Sequence, residues 1–306
     1  MPVRPGPTGN PLLAEAKRLR AKKRFSQNFL IDPAVVARIA DAAALTPGET
    51  VLEIGPGSGV LTRELLERAD HVVAVEVEDT MIAHLQGQFK EDSRFSLIRE
   101  DVLKVDFDAL PLPPRFKVAG NLPYSITSPI LFHLIGELHQ PDYPLRHRLD
   151  RIVLMVQWEV GERLAARPGS KAFNHLSIAT QFWFDVNLLC KVPARAFYPA
   201  PKVDSAVVVL TPRETPAADV TDYRLLTQVI RTAFAHRRKL LKNNLLQLPQ
   251  LKQRLDGRDI LSTLMASVGV QSDQRPDTVS IAQYAAFANQ LHTLIATLSA
   301  GEQPAG

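Results

Sequence analysis

The 306-residue chain has one cysteine, Cys190, which excludes an internal disulfide and any metal site built on cysteines, and fits a reducing compartment. No stretch approaches the ~18 uninterrupted apolar residues of a membrane span. The N-terminus has no apolar core of the kind a secretory leader needs, so a cytoplasmic chain with no membrane partner is expected. What is present is a globular composition: apolar residues make up 45% of the chain, enough to exclude disorder over most of its length. The length suits one large domain and a smaller one. Charge is nearly balanced, with 36 Lys and Arg against 32 Asp and Glu, but it is unevenly spread. Residues 1–24 carry seven basic residues and a single acid, Glu15, and residues 223–254 carry eight basic residues and no acid. Two basic blocks on a near-neutral body suit either a polyanion partner or simple solvated surfaces.

Residues 1–21 read as a flexible basic arm, with helical character near Leu12–Lys23. From Val51 onward, short apolar runs alternate with amphipathic segments. Strands are expected at 51–54, 72–76, 95–98, 116–119 and 152–156, with helices at 60–68, 79–89, 128–138 and 158–166 between them. Such alternation implies parallel βαβ units and a doubly wound α/β sheet. Ser128 is expected to cap its helix, with Pro129 in the first turn. Two further strands, 186–192 and 206–210, have no helix between them and suit an antiparallel pair at the sheet edge. The expected organisation is an α/β domain at 22–212, a linker at 213–219, a small all-helical domain at 220–298 and a disordered tail at 299–306. One helix is expected across Tyr223–Gln247, its apolar stripe running through Leu225, Val229, Ala233 and Leu241.

The chemistry-bearing residues fall where strands are expected to end. Glu53-Ile54-Gly55-Pro56-Gly57-Ser58-Gly59 is a glycine turn between a strand and a helix, which lets backbone approach a ligand closely. Glu53 beside the first glycine disfavours a phosphate and suits a positively charged, phosphate-free cofactor such as S-adenosylmethionine. Glu76 ends the next strand, where a carboxylate can accept ribose hydroxyls. Asp101 follows the third strand and is placed to accept an adenine amino group of the cofactor. Asn121-Leu122-Pro123-Tyr124 follows the fourth. Open α/β sheets bind ligands at the carboxyl ends of their strands, so the convergence of positions 55, 76, 101 and 121 counts for more than any one of them. An exocyclic amine on a purine is a poor nucleophile, because its lone pair is delocalised into the ring. The Asn121 side-chain oxygen and the Leu122 carbonyl can accept its two hydrogens and let the nitrogen pyramidalise. Pro123 stiffens the turn, and Tyr124 offers a stacking face worth roughly 1–3 kcal/mol. In-line transfer of this kind rests on positioning and calls for no metal and no covalent nucleophile. A neutral amide at 121 also leaves room for a second methylation of the same nitrogen. The segment Gln27-Asn28-Phe29-Leu30 reads equally as a hydrophobic plug or as a lid over the cofactor.

These motifs, with Phe197-Tyr198-Pro199-Ala200-Pro201-Lys202-Val203-Asp204-Ser205-Ala206 and Phe234-Ala235-His236-Arg237-Arg238-Lys239, resemble the small-subunit ribosomal RNA adenine dimethyltransferase family. The resemblance runs from about Lys23 to near residue 297. It implies a Rossmann-like, S-adenosylmethionine-dependent enzyme that puts two methyls on each of two adjacent adenines in the 3′-terminal hairpin of 16S rRNA. Its substrate would be the assembling 30S subunit, the enzyme would act as a monomer, and a role in subunit biogenesis would follow. By carry-over, Asn28, Leu30, Gly55, Glu76, Asp101 and Asn121 would line the cofactor site. Tyr124 and Phe197 would sandwich the target base, and Arg237, Arg238, Lys239 and Lys242 would contact RNA. Two other readings stand beside it: an erythromycin-resistance-type methyltransferase of 23S rRNA, and an assembly factor whose binding role outweighs its catalysis.

Overall fold

The computed structural model describes residues 10–19, 27–252 and 257–301. By their internal contacts the residues form two units. One is Met1–Ile135 with Pro144–Gly161 and Asn187–Pro212; the other is Gly136–Tyr143 with Glu162–Val186 and Arg213–Gly306.

The first elements in the chain are α1 (Pro11–Leu19), β1 (Phe29–Leu30), α2 (Pro33–Ala42), β2 (Thr50–Ile54), α3 (Val60–Leu66), β3 (His71–Glu76), α4 (Asp79–Phe89), β4 (Phe95–Arg99) and β5 (Phe116–Asn121). They continue with α5 (Thr127–Ile135), β6 (Leu149–Gln157), α6 (Trp158–Ala165), α7 (His175–Gln181), β7 (Phe184–Val192), β8 (Phe197–Tyr198) and β9 (Ser205–Pro212). The main sheet has seven strands in the order β4-β3-β2-β5-β6-β9-β7. Strands β4, β3, β2, β5 and β6 pair in parallel, and β9 runs antiparallel to β6. The central strands are nearly unbroken Val, Leu, Ile and Ala runs because both faces are covered. Leu52, Val72, Val73, Val118, Ile152 and Leu154 have no exposed surface. The order steps outward from β2 in both directions, so the ends of β2, β3, β4 and β5 sit side by side, as a doubly wound fold requires.

The structure corrects the sequence reading in several places. Residues 11–19 are not a free arm: Ala16 is buried against Phe29 and Met81, with Leu19, Ile31 and Tyr198 packed around them. Asn10 caps this helix through Leu12 and Leu13, and its Nδ2 donates to the Ile31 carbonyl at 2.7 Å. Residues 1–9 and 20–21 of the expected arm lie outside the described residues. Helix α5 begins at Thr127, not after a Ser128 cap; the Thr127 hydroxyl donates to the Pro123 carbonyl at 3.3 Å.

In the second unit, α8 (Tyr223–Ala233) is followed by α9 (Leu241–Leu245), α10 (Pro249–Lys252), α11 (Gly257–Ser267) and α12 (Ile281–Gly301). The single helix expected over 223–247 is therefore broken. Asn244, 1% exposed, donates from Nδ2 to the carbonyls of Ala233 and His236, holding the chain in turns where a helix would have continued. The expected linker is not free either. Arg213 and Ala217 donate backbone N–H groups to Trp183 and Phe182, and Arg213 pairs with Asp185. Trp183 stacks on Tyr223 at 5.7 Å. These contacts draw residues 162–186, expected in the α/β domain, into the helical unit. Helix α12 also continues into the segment expected as tail, while residues 302–306 lie outside the described residues.

Candidate active site

A cavity of about 260 Å³ opens at the carboxyl ends of β2, β3, β4 and β5. Its lining includes Asn28, Leu30, Glu53, Gly55, Glu76, Asp101 and the whole run Asn121-Leu122-Pro123-Tyr124. All six residues expected to bind a cofactor are therefore brought together. Four of the five expected to act on the base share that wall.

The glycine turn is built by geometry that only glycine takes easily: Gly55, Gly57 and Gly59 have φ of 65°, 55° and 75°. A Cβ at Gly59 would lie 2.8 Å from the Phe89 ring, so this position also needs glycine for space. The turn does not offer its glycine amides to a ligand. Gly55 N–H donates to Val75, Gly59 N–H to Pro56, and Gly57 N–H to Glu76 Oε2 at 3.3 Å. This differs from a phosphate-cradling loop, whose amides point outward.

Carboxyl groups dominate the polar lining. Glu53 is 1% exposed and accepts from the Thr62 hydroxyl at 2.6 Å. Burial pushes its pKa up to about 8, against the Thr62 hydrogen bond and with help from the charge of Glu76. Glu76 Oε1 accepts from the N–H groups of Val77 and Glu78, both at 2.9 Å. Burial raises the Glu76 pKa, and these backbone donors oppose the rise. Its Oε2, with a single long bond, is the atom better placed for a ligand hydroxyl. Asp101 uses Oδ1 to accept from Leu103 N–H at 3.0 Å and so fixes the turn after β4. Two buried carboxyl groups, with no cation beside them among the described residues, favour a ligand carrying positive charge and hydroxyls, and disfavour an anion.

The second half of the wall is set by β5. Gly120 sits opposite Ile54, and a Cβ there would lie 2.7 Å from the Ile54 carbonyl oxygen. Asn121 Nδ2 donates to the Asn28 carbonyl at 3.1 Å. With the nitrogen so engaged, Oδ1 is the atom free to accept from a substrate. Leu122 N–H donates to the Met155 carbonyl, and Pro123 holds φ −59° and ψ 125°. The Tyr124 hydroxyl meets Ser205 Oγ at 2.6 Å, which pins a half-buried ring at the cavity wall. Burial pushes the Tyr124 pKa up, so the phenol stays neutral.

Phe197 does not join them. It is 2% exposed, pairs with Leu30 across the β1–β8 ribbon and packs into the core. It does not line the cavity but sits behind the Asn28–Leu30 wall. That wall is both plug and lining, since Ile31 N–H donates to the Ala196 carbonyl at 2.8 Å while Asn28 and Leu30 face the cavity. Sequence reasoning missed Phe29, whose ring would lie 3.6 Å from a Cβ at Gly57, and also the anchors Ser205 and Met155. Ser205 had a signal, since it lies inside the Pro201–Ala206 motif. The Met155 carbonyl had none, because any residue supplies one.

In the second unit, Arg237 donates to the carbonyls of Lys171 and Phe173, so its guanidinium ties a loop down. Arg238 and Lys239 are exposed on the turn, and Lys242 is half-buried in α9. Among the described residues no group of His, Cys, Asp and Glu is arranged to hold a metal ion.

Comparison with known proteins agrees with this arrangement. The family model described as Ribosomal RNA adenine dimethylase matches residues 18–291. The "Ribosomal RNA small subunit methyltransferase A" of Acaryochloris marina is 42% identical over 274 residues, covering 89% of this chain and 98% of the relative. The crystal structure of the 23S rRNA methyltransferase ErmE superposes with a TM-score of 0.67 at 26% identity, covering 87% of this chain and 100% of that one. A dimethyladenosine transferase from Plasmodium falciparum gives a TM-score of 0.71 at 24% identity, covering 86% and 96%, and supports the fold. A family match across most of the length, together with this identity to a full-length relative, leaves one conclusion: the chain belongs to the ribosomal RNA adenine dimethylase family.

Proposed function

We propose that this protein transfers methyl groups from S-adenosylmethionine to N6 of two adjacent adenines in the 3′-terminal hairpin of 16S rRNA, two to each. It does so as a monomer in the cytoplasm, on an assembling small subunit. The observation that carries the reading is the pairing of an acid-lined cavity with an amide oxygen, a peptide carbonyl and an aromatic ring on the adjoining wall. The donor set fits the cofactor: Glu76 for the ribose, Asp101 for the adenine amino group, and neutralised Glu53 near positive charge. Bound there, S-adenosylmethionine supplies an electrophilic methyl on a sulfonium.

The chain's residues do the aiming. Asn121 Oδ1 and the Leu122 carbonyl accept the two N6 hydrogens of a flipped adenine, turning the nitrogen lone pair out of conjugation and toward the methyl. Flipping is required because N6 is inaccessible inside a stacked helix. Tyr124 stacks on the exposed base face, its ring held by Ser205. Once a methyl had passed from the sulfonium to N6, the nitrogen would be cationic and would release one proton to solvent. After the first transfer one hydrogen remains for Asn121 or Leu122 to hold, and the neutral amide neither blocks nor over-stabilises the second step. Exposed Arg238 and Lys239 contribute phosphate contacts, and Lys242 supports them.

The deciding experiment is mass spectrometry of small-subunit RNA from cells with and without the gene, followed by restoration with purified protein and cofactor. N6,N6-dimethyladenosine should vanish on deletion and return on addition. Dimethylation that persists without the gene, or that appears in large-subunit RNA, would overturn the reading.

A further inference from the structure

Helix α8 has an amphipathic build whose outward face has no part in the site described above. Leu225, Leu226, Val229, Ile230 and Ala233 point into the second unit's core. The opposite stripe carries Arg224, Gln228 and Arg231, two successive turns apart. With His139, Thr227 and Thr232 these residues line an open groove of about 430 Å³. At ~1.5 Å rise per residue the two arginine Cα positions lie roughly 10 Å apart along the axis, so their heads address two anionic groups, not one.

The groove is one-sided in charge. Among the described residues no carboxylate lines it. Arg224 has no acidic partner among the described residues, and the Arg231 pair with Glu137 is loose, at 3.7 Å. Glu137 accompanies His139 on the Gly136–Tyr143 segment, which the fold assigns to this unit. Gln228 is steadied by a bond from Gln250 Nε2 to its Oε1 at 3.1 Å, which leaves its own amide nitrogen for the groove. Nearby, burial first and then the Arg231 charge lower the pKa of His175, and Glu137 opposes them. The polar groups on offer are guanidinium, imidazole, amide and hydroxyl, and the one ring in the lining is the His139 imidazole.

We propose that this groove binds the sugar-phosphate backbone of the substrate RNA, independently of sequence, as a second anchoring point apart from the Arg238–Lys239 turn. This rests on the function proposed above and adds a place of contact to it. Two guanidinium groups spaced along one helix face suit phosphate contacts, which fix register and orientation but read no bases.

The test uses the full chain carrying R224Q and R231Q together, alongside a charge-keeping R224K and R231K pair. Binding to a transcript of the 3′ domain of small-subunit RNA is followed by fluorescence anisotropy across a potassium chloride series. S-adenosylmethionine binding is followed by calorimetry. The glutamine pair should weaken RNA binding by roughly tenfold near physiological salt and lower the slope of log affinity against log salt by about two. The lysine pair should keep most of both, and cofactor affinity should not change. Unaltered affinity and slope in the glutamine pair would overturn the proposal. So would parallel loss of RNA and cofactor binding, which would make the arginines structural, and so would competition for the groove by an acidic peptide but not by RNA. If the wild type binds RNA with a groove-dependent slope yet methylates no adenine, the functional reading fails and the groove stands. If it methylates but the slope is indifferent to the groove, the reverse holds.

Discussion

The cavity at the sheet's carboxyl edge and the basic turn after α8 hold their polar groups in opposite ways. In the cavity, two of the acids are fixed by neighbours a residue or two away, Glu76 by Val77 and Glu78 and Asp101 by Leu103, and the adjoining strand holds the Leu122 backbone through Met155; Asn121 and Tyr124 lean on distant partners, Asn28 and Ser205. In the turn, the fixing contacts skip over the local sequence, by about ten residues or by many more. Arg237 reaches Lys171 and Phe173, and Asn244 reaches back to Ala233 and His236. A site on strand ends inherits its geometry from the topology of the sheet. A site on a turn depends on contacts that local pattern does not encode.

The sharpest break of that contrast is Asn121→Ala. Its Nδ2 bond to Asn28 is one contact among many that hold the Asn28–Leu30 wall, so fold and cofactor affinity should persist, the latter within about threefold. Turnover should fall by roughly 10²-fold or more, the scale for losing an acceptor that acts mainly on positioning. Single-turnover methyl transfer and calorimetry measure the two sides. Equal loss of both would make Asn121 a wall residue only.

Asn244→Ala probes the turn in the same spirit. Two carbonyls lose a buried donor, and the expected cost is about 2 kcal/mol in denaturant unfolding of the full chain. RNA affinity should fall as the Arg238–Lys239 turn loosens, with cofactor binding untouched. Normal RNA affinity would show that the turn needs no such anchor.

An effect spread over pH separates the regions electrostatically. Glu53 has a folded pKa near 8 against 4.5 ordinarily, so between these values the folded protein holds a proton that the unfolded chain has released. Stability should therefore decline as pH rises from about 4.5 toward 8, and Glu53→Gln should flatten that decline. Urea unfolding of wild type and variant at several pH values checks it; parallel curves would mean that Glu53 ionises freely.

Much of the cavity was legible because glycine spacing and strand-end acids each follow from a local rule, and the parallel sheet brings them together. What was not legible involves partners. Phe197 reads as an aromatic near the substrate, yet its pairing with Leu30 turns it inward. The 223–247 segment has the apolar period of one helix. It breaks because a buried asparagine satisfies carbonyls that the helix would otherwise have used. Residues 162–186 look like more α/β domain, but Trp183 and Tyr223 stack and claim them for the helical unit.

Tyr124→Phe is the finest cut. The ring proposed to stack on the base is kept, and only the hydroxyl that meets Ser205 is lost. Ser205 is then left fully buried without that partner, so a cost of about 0.5–1.5 kcal/mol is expected in stability. Turnover should drop only a few-fold, because the aromatic face still stacks while its angle is less firmly held. Tyr124→Ala removes the face itself, roughly 1–3 kcal/mol of stacking, and should raise KM for RNA far more than the phenylalanine does. Ser205→Ala should match Tyr124→Phe in kcat, since both cut the same bond from opposite ends. If Tyr124→Phe proved as damaging as Tyr124→Ala, the hydroxyl and not the ring would be what the substrate meets. The wall would then owe its chemistry to a hydrogen bond from β9 as much as to the end of β5.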